Sequence, residues 1–129
     1  MEKRQVEIKT LKPGSFCLIE GVPCKVDALQ TSKPGKHGGA KARLVASGIF
    51  NSQKMTIVKP ADTKIDVPII EKKNMQAIAF VGNHVQLMNL EDYSMIEILM
   101  PDDLKGEIHE GDEVLVWKFG PHIMIKGKK

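Results

Sequence analysis

Apolar residues in this chain come in short alternating runs, and none holds a 3.6-residue stripe long enough for a packed helix. Val6 and Ile8 alternate with polar neighbours. Residues 16–20 and 23–29 read as strands around a turn at Glu20 and Gly21, and residues 40–50 and 55–59 read as two more. The grammar then repeats over residues 75–81, 84–90 and 93–99, with turns at Gly82 and Asn83 and at Glu91 and Asp92. Pro101, Asp102 and Asp103 begin a short helix, and residues 113–119 and 122–126 close the series. The tail beyond is expected to fray. A helical bundle is excluded, and the chain is expected to be mainly β, as two small barrels.

The division between the barrels follows from punctuation and charge. Pro60, Pro68 and the polar run Glu71, Lys72, Lys73, Asn74 interrupt the middle, so the boundary is expected within residues 67–72, giving domains 1–68 and 69–129. Residues 1–68 carry twelve Lys or Arg against six Asp or Glu, while residues 69–129 carry seven against ten. No acid occurs between Asp27 and Asp62, a stretch holding Lys33, Lys36, Lys41, Arg43, Lys54 and Lys59. That field suits a phosphate-rich partner, and it equally describes a solvated basic face. The 129 residues contain no apolar run longer than residues 77–81, so no membrane span is expected. The charged start, without an apolar segment behind it, points to a cytoplasmic protein.

Cys17 and Cys24 flank the turn at Gly21 and can lie opposite each other in a hairpin. In a cytoplasmic chain they read as reduced, buried small hydrophobes; a disulfide becomes the alternative in a hyperthermophile. Familiar catalytic and metal patterns are missing. There is no phosphate-binding P-loop, because Gln30 stands where its first glycine belongs and His37 where its Ser or Thr belongs. Neither GxSxG nor HExxH occurs, and His37, His84, His109 and His122 are spread apart without ligand spacing. Phe80, Trp117 and Phe119 are expected in the core rather than as base-stacking platforms.

One segment stands apart, residues 31–41, between two strand candidates: Thr31, Ser32, Lys33, Pro34, Gly35, Lys36, His37, Gly38, Gly39, Ala40, Lys41. Pro34 and Gly35 suit the centre of a type II turn, where glycine supplies the positive φ. Gly38 and Gly39 strip side chains from the returning limb and let backbone approach a partner. The result is a projecting cationic finger with Lys36 near its tip. Composition alone leaves a solvated turn lysine as the plainer reading.

The sequence from Ser32 to Gly38, followed by Ala40 and Lys41, resembles the hypusine loop of the translation initiation factor 5A family in its archaeal form, a relative of bacterial elongation factor P. The likeness runs along nearly the whole chain. Leu11, Lys12, Pro13, Gly14 and Ser15, and then Gly21, Val22, Pro23 and Cys24, resemble the family's first hairpin. Residues 86–93 resemble a second-domain strand and turn, and Gly111, Asp112, Glu113 and Val114 with Trp117 resemble the archaeal carboxyl-terminal region. The resemblance implies an N-terminal SH3-like barrel and a C-terminal OB-fold. It implies no enzymatic activity and no cofactor beyond a covalent hypusine or deoxyhypusine on Lys36, derived from spermidine by deoxyhypusine synthase. Ser32, Lys33, Pro34, Gly35, His37, Gly38, Gly39 and Lys41 become contacts to tRNA or to that enzyme, with Arg43 in support. Gly39 departs from the family, many of whose members carry His or another polar residue there.

The implied partners are the ribosome and peptidyl-tRNA, and the implied state is a monomer. The role is to favour peptide-bond formation at stalling sequences such as proline runs. A lengthened side chain with an added amine reaches phosphates and sugars that lysine cannot, and the gain in rate comes from positioning. A general RNA-binding module that needs no modification is the alternative. A lysine nucleophile ranks last, because a projecting glycine-rich loop offers no desolvated pocket to depress its pKa.

Overall fold

Among the described residues, eleven strands and two single turns of 3-10 helix make up the regular structure. The computed structural model describes residues 3–33 and 39–129. The chain divides into two units, Met1–Ile69 and Ile70–Lys129. In the first, β1 (Lys3–Glu7) pairs antiparallel with β6 (Lys64–Pro68). The strands β2 (Phe16–Ile19), β3 (Val22–Ser32), β4 (Lys41–Gly48) and β5 (Lys54–Pro60) form a four-stranded antiparallel sheet in that order. In the second, the order is β11 (His122–Lys128), β10 (Glu113–Phe119), β7 (Glu71–Val81), β8 (His84–Asn89), β9 (Met95–Leu99). Each unit has its own core. Ile8, Leu11, Ile19, Val26, Leu44 and Ile65 fill the first, and Met75, Val85, Leu87, Val114, Val116 and Ile125 the second.

Local chemistry accounts for most of this. In β4, Ala42, Leu44, Ala46 and Gly48 are buried and alternate with exposed or half-buried residues, the period of a strand with one face on the core. Glu20 and Gly21 have φ of 52° and 78°, the paired positive values of a type I′ turn, whose twist matches that of the strands it joins. This two-residue turn makes Ile19 and Val22 a hydrogen-bonded pair, so by alternation Cys17 and Cys24, which are also directly opposite, are another. Both cysteines are free and fully buried, and burial pushes the Cys17 thiol up to about 12. The reduced reading of the pair is the one the fold adopts.

Four features depart from the expectation. Residues 64–68 form β6, closing on β1 through Val6 opposite Ile65. The polar run expected to punctuate the middle is instead the first third of β7, where Lys72, Lys73 and Asn74 pair with Trp117, Val116 and Leu115. The tail does not fray. Gly127 and Lys128 pair with Leu115 and Val114, and the Lys129 N–H donates to the Glu113 carbonyl at 2.9 Å. Phe80, expected in the core, is 40% exposed at the end of β7, next to the turn at Gly82 and Asn83. Ile65 and Val67 of β6 are themselves core residues, whereas in the second and third cases the backbone ladder of β10 recruits residues whose side chains contribute little burial. Phe119 is buried as expected.

Candidate functional site

The β3–β4 hairpin is the largest two-stranded feature of the first unit, and its far end carries the segment singled out in the sequence. Ser32 and Lys41 are opposite one another, as are Thr31 with Ala42, Gln30 with Arg43, and Leu29 with Leu44. The strands thus extend into both ends of the 31–41 segment, leaving a shorter connection than the sequence suggested. Pro34, Gly35, Lys36, His37 and Gly38, with the type II turn expected there, lie outside the described residues.

A bulge sets which side chains face outward. The register of β3 against β4 shifts between Val26 and Ala28, leaving Asp27 without an opposite residue. Before the bulge the even-numbered Cys24 and Val26 are buried; after it Leu29 packs against the core. The parity change turns Gln30 and Ser32 to the outer face, beside Arg43 and Lys41 of β4 and Val58 and Pro60 of β5. Gln30, Thr31, Ser32, Lys41, Arg43 and Val58 line an open groove there.

Asp27 itself anchors the hairpin base. Its carboxylate accepts hydrogen bonds from Ser47 Oγ at 2.5 Å and from Lys54 Nζ at 2.9 Å. Those bonds, led by Lys54, hold its pKa below the ordinary 3.8. A depressed folded-state pKa contributes stability that is present above the unfolded value and is lost as pH falls through the folded one. The Asp27→Asn variant is therefore expected to melt below wild type at neutral pH. The two melting curves are expected to converge as acid takes the pH below 3.8; a gap that stays constant down to that range contradicts the assignment.

The cations nearer the tip have no such anchor. Lys33, Lys41 and Arg43 are exposed, and among the described residues none of them has a carboxylate at ion-pair distance. Exposed positive charge without a carboxylate partner attracts polyanions. Among the described residues, no atom lies within 4 Å of a Cβ added at Gly39. Among the described residues no three His, Cys, Asp or Glu side chains gather as a metal site, and no helix is long and apolar enough to cross a membrane.

One arrangement escaped sequence reasoning. Trp117, expected in the core, is half-buried on the outer face of β10, with Lys72 Nζ 5.0 Å and Lys126 Nζ 4.6 Å from its ring centroid. The pairing of Lys72 with Trp117 depends on the β7–β10 register, and no local pattern in the sequence signals it.

The fold and site define a class, an SH3-like barrel bearing a cationic hairpin followed in the chain by an OB-fold. A family model described as translation initiation factor 5A-like, N-terminal, matches residues 3–63. Translation initiation factor 5A of Thermofilum pendens is 50% identical, with 98% of each chain covered. That of Methanocella arvoryzae is 52% identical over 87% of this chain and 88% of its own. Among solved structures, eukaryotic translation initiation factor 5A from Methanococcus jannaschii superposes with a TM-score of 0.87 at 38% identity, covering 98% of this chain and 95% of that one. An initiation factor 5A family protein from Naegleria fowleri gives 0.80 at 27% identity, covering 100% and 99%. The chain belongs to the translation initiation factor 5A family, and it is a translation factor.

Proposed function

We propose that this chain is a cytoplasmic, non-enzymatic factor that binds the ribosome, promotes peptide-bond formation and relieves stalling at sequences such as proline runs. It acts through hypusine or deoxyhypusine on Lys36, formed with an aminobutyl group that deoxyhypusine synthase takes from spermidine. The observation that carries the reading is the motif from Ser32 to Gly38, joining two strands whose flanking cations Lys33, Lys41 and Arg43 are exposed and free of carboxylate partners among the described residues. The modification lengthens one side chain and adds an amine while keeping its charge. Such a cation suits contact with the phosphates and sugars of peptidyl-tRNA, with Ser32, Lys33, Pro34, Gly35, His37, Gly38, Gly39 and Lys41 around it and Arg43 in support. Peptide-bond chemistry stays with the ribosome, and the factor's contribution is to hold a substrate in place, which removes entropic cost from the barrier.

Intact mass and a peptide map of the protein from its native source test this. An aminobutyl increment confined to the peptide containing Lys36 is expected, and one further oxygen distinguishes hypusine from deoxyhypusine. An unmodified Lys36 overturns the reading and leaves a general RNA-binding module in its place.

A further inference from the structure

The second unit has a net acidic composition, yet its cations are not scattered. Strands β8 and β9 contain no Lys or Arg at all, and their outer face carries Gln86, Glu97, Met95 and Leu99. This is the pair of strands on which OB-folds commonly bind oligonucleotides, and here it offers no positive charge. Five of the unit's seven lysines lie across the sheet, on β7, β10 and β11: Lys72, Lys73, Lys118, Lys126 and Lys128.

Two of these behave differently from the rest. Lys73 and Lys128 are occupied by Glu71 at 3.4 Å and Asp112 at 3.2 Å. Lys72 and Lys126 have no carboxylate at ion-pair distance among the described residues, and both ammonium groups sit over Trp117. Lys72 gets there by direct pairing across β7 and β10. Lys126 gets there through a bulge: Leu115 pairs with Gly127 and Val116 with Ile125, so Lys126 is the extra residue of β11. A bulge re-aims a side chain, and this one sends a second cation to a ring that already has one. Ring quadrupole attraction orients each ammonium without neutralising it. The first acid along this face of β10 is Glu113, beyond Leu115.

We propose that Lys72, Trp117 and Lys126 form a second anion-binding patch, distinct from the β3–β4 hairpin, that takes the phosphodiester backbone of RNA. Two oriented, uncompensated cations over one indole, supplied by the strands on either side of β10, make a fork for successive phosphate oxygens. The ring is covered by its lysines, so the contact is to backbone and carries no base preference. RNA is favoured over an acidic protein because this is a translation factor whose first unit also presents uncompensated cations.

Trp117 is the only tryptophan of the chain, so its fluorescence reports this patch directly. The full chain with Lys36 unmodified is titrated with a short mixed-sequence single-stranded RNA, following Trp117 emission and, separately, the anisotropy of labelled RNA. RNA is expected to change the emission. The Lys72→Gln/Lys126→Gln variant is expected to lose that change and to lower the slope of log affinity against log salt by about 1.4, the value for two phosphate contacts to a single strand. Lys33→Gln/Lys41→Gln is expected to keep the emission change. If the patch variant does not fold, Lys126→Gln alone, which leaves the β7–β10 pairing intact, is expected to show half the slope change. RNA binding that leaves Trp117 emission unmoved, an undiminished salt slope, or no RNA binding overturns the proposal. So does a polyglutamate peptide that acts on Trp117 at lower concentration than RNA. None of these outcomes touches the role proposed for modified Lys36, which rests on its own mass measurement.

Discussion

Stimulation of peptide-bond formation at a proline run is expected to fall to the unassisted level when Lys36 is replaced by Arg. Arginine keeps a long cation at the position, so a role for charge alone predicts near-normal stimulation. It offers no primary amine for aminobutyl transfer, so a role for the modified side chain predicts complete loss. Misplacing a reacting group by about 1 Å costs on the order of 100-fold, and a missing aminobutyl arm is a larger displacement than that. The expected loss is therefore the whole of the stimulation, whatever its size up to about 100-fold. Lys36→Ala is expected to match it, while Lys33→Ala and Lys41→Ala each weaken ribosome binding by a smaller, salt-sensitive step. The measurement is the rate of dipeptide or tripeptide formation on purified ribosomes programmed with consecutive proline codons. Melting curves of each variant confirm that the fold is unaltered. Normal stimulation by Lys36→Arg, or equal losses from Lys33, Lys36 and Lys41, transfers the role to the general basic character of the hairpin.

The second large effect lies beneath that hairpin. Leu44 is fully buried on β4, between Leu29 of β3 and Ile57 of β5 in the same cross-strand row. It joins the two limbs of the finger to the barrel core. Truncation to Ala removes the transfer free energy of the lost atoms and leaves a cavity in a sheet whose backbone ladders restrain collapse. The expected cost is about 2–5 kcal/mol. In a unit of this size that corresponds to a fall of roughly 10–20 °C or more in the melting temperature, a large part of what a small barrel has to lose. Denaturant unfolding followed by far-ultraviolet circular dichroism measures it. A loss below about 1 kcal/mol contradicts the packing described here. The conservative Leu44→Met is expected to cost far less, about 1.5 kcal/mol at most, because volume is nearly conserved.

What could be read from the sequence is what depends on near neighbours. Alternation over residues 40–50 and 84–90 marks β4 and β8, because a pleated backbone sends successive side chains to opposite faces whatever lies elsewhere. The turns at Gly21 and Gly82 were visible for the same reason: both glycines have positive φ, a conformation that few other residues adopt freely. The sign change in charge and the prolines gave a boundary expected at residues 67–72, and the two units meet between Ile69 and Ile70. Lys36 and its neighbours were legible through a motif, and they lie outside the described residues.

The tertiary structure decided what depends on distant partners. A bulge is created by the partner strand's register, so nothing local to Asp27 or Lys126 announces that one parity of side chains ends there and the other begins. The same holds for the polar start of β7 and the lysine-rich end of β11. Their backbones are claimed by β10, a long strand between them, and hydrogen bonding of the main chain is indifferent to side-chain hydropathy. By itself, then, the sequence determined the mainly β character, the turns and the placement of the basic finger. Only the tertiary structure brought Lys72 and Lys126 onto Trp117, because Lys72 and Trp117 are 45 positions apart in the chain and only sheet register brings them together.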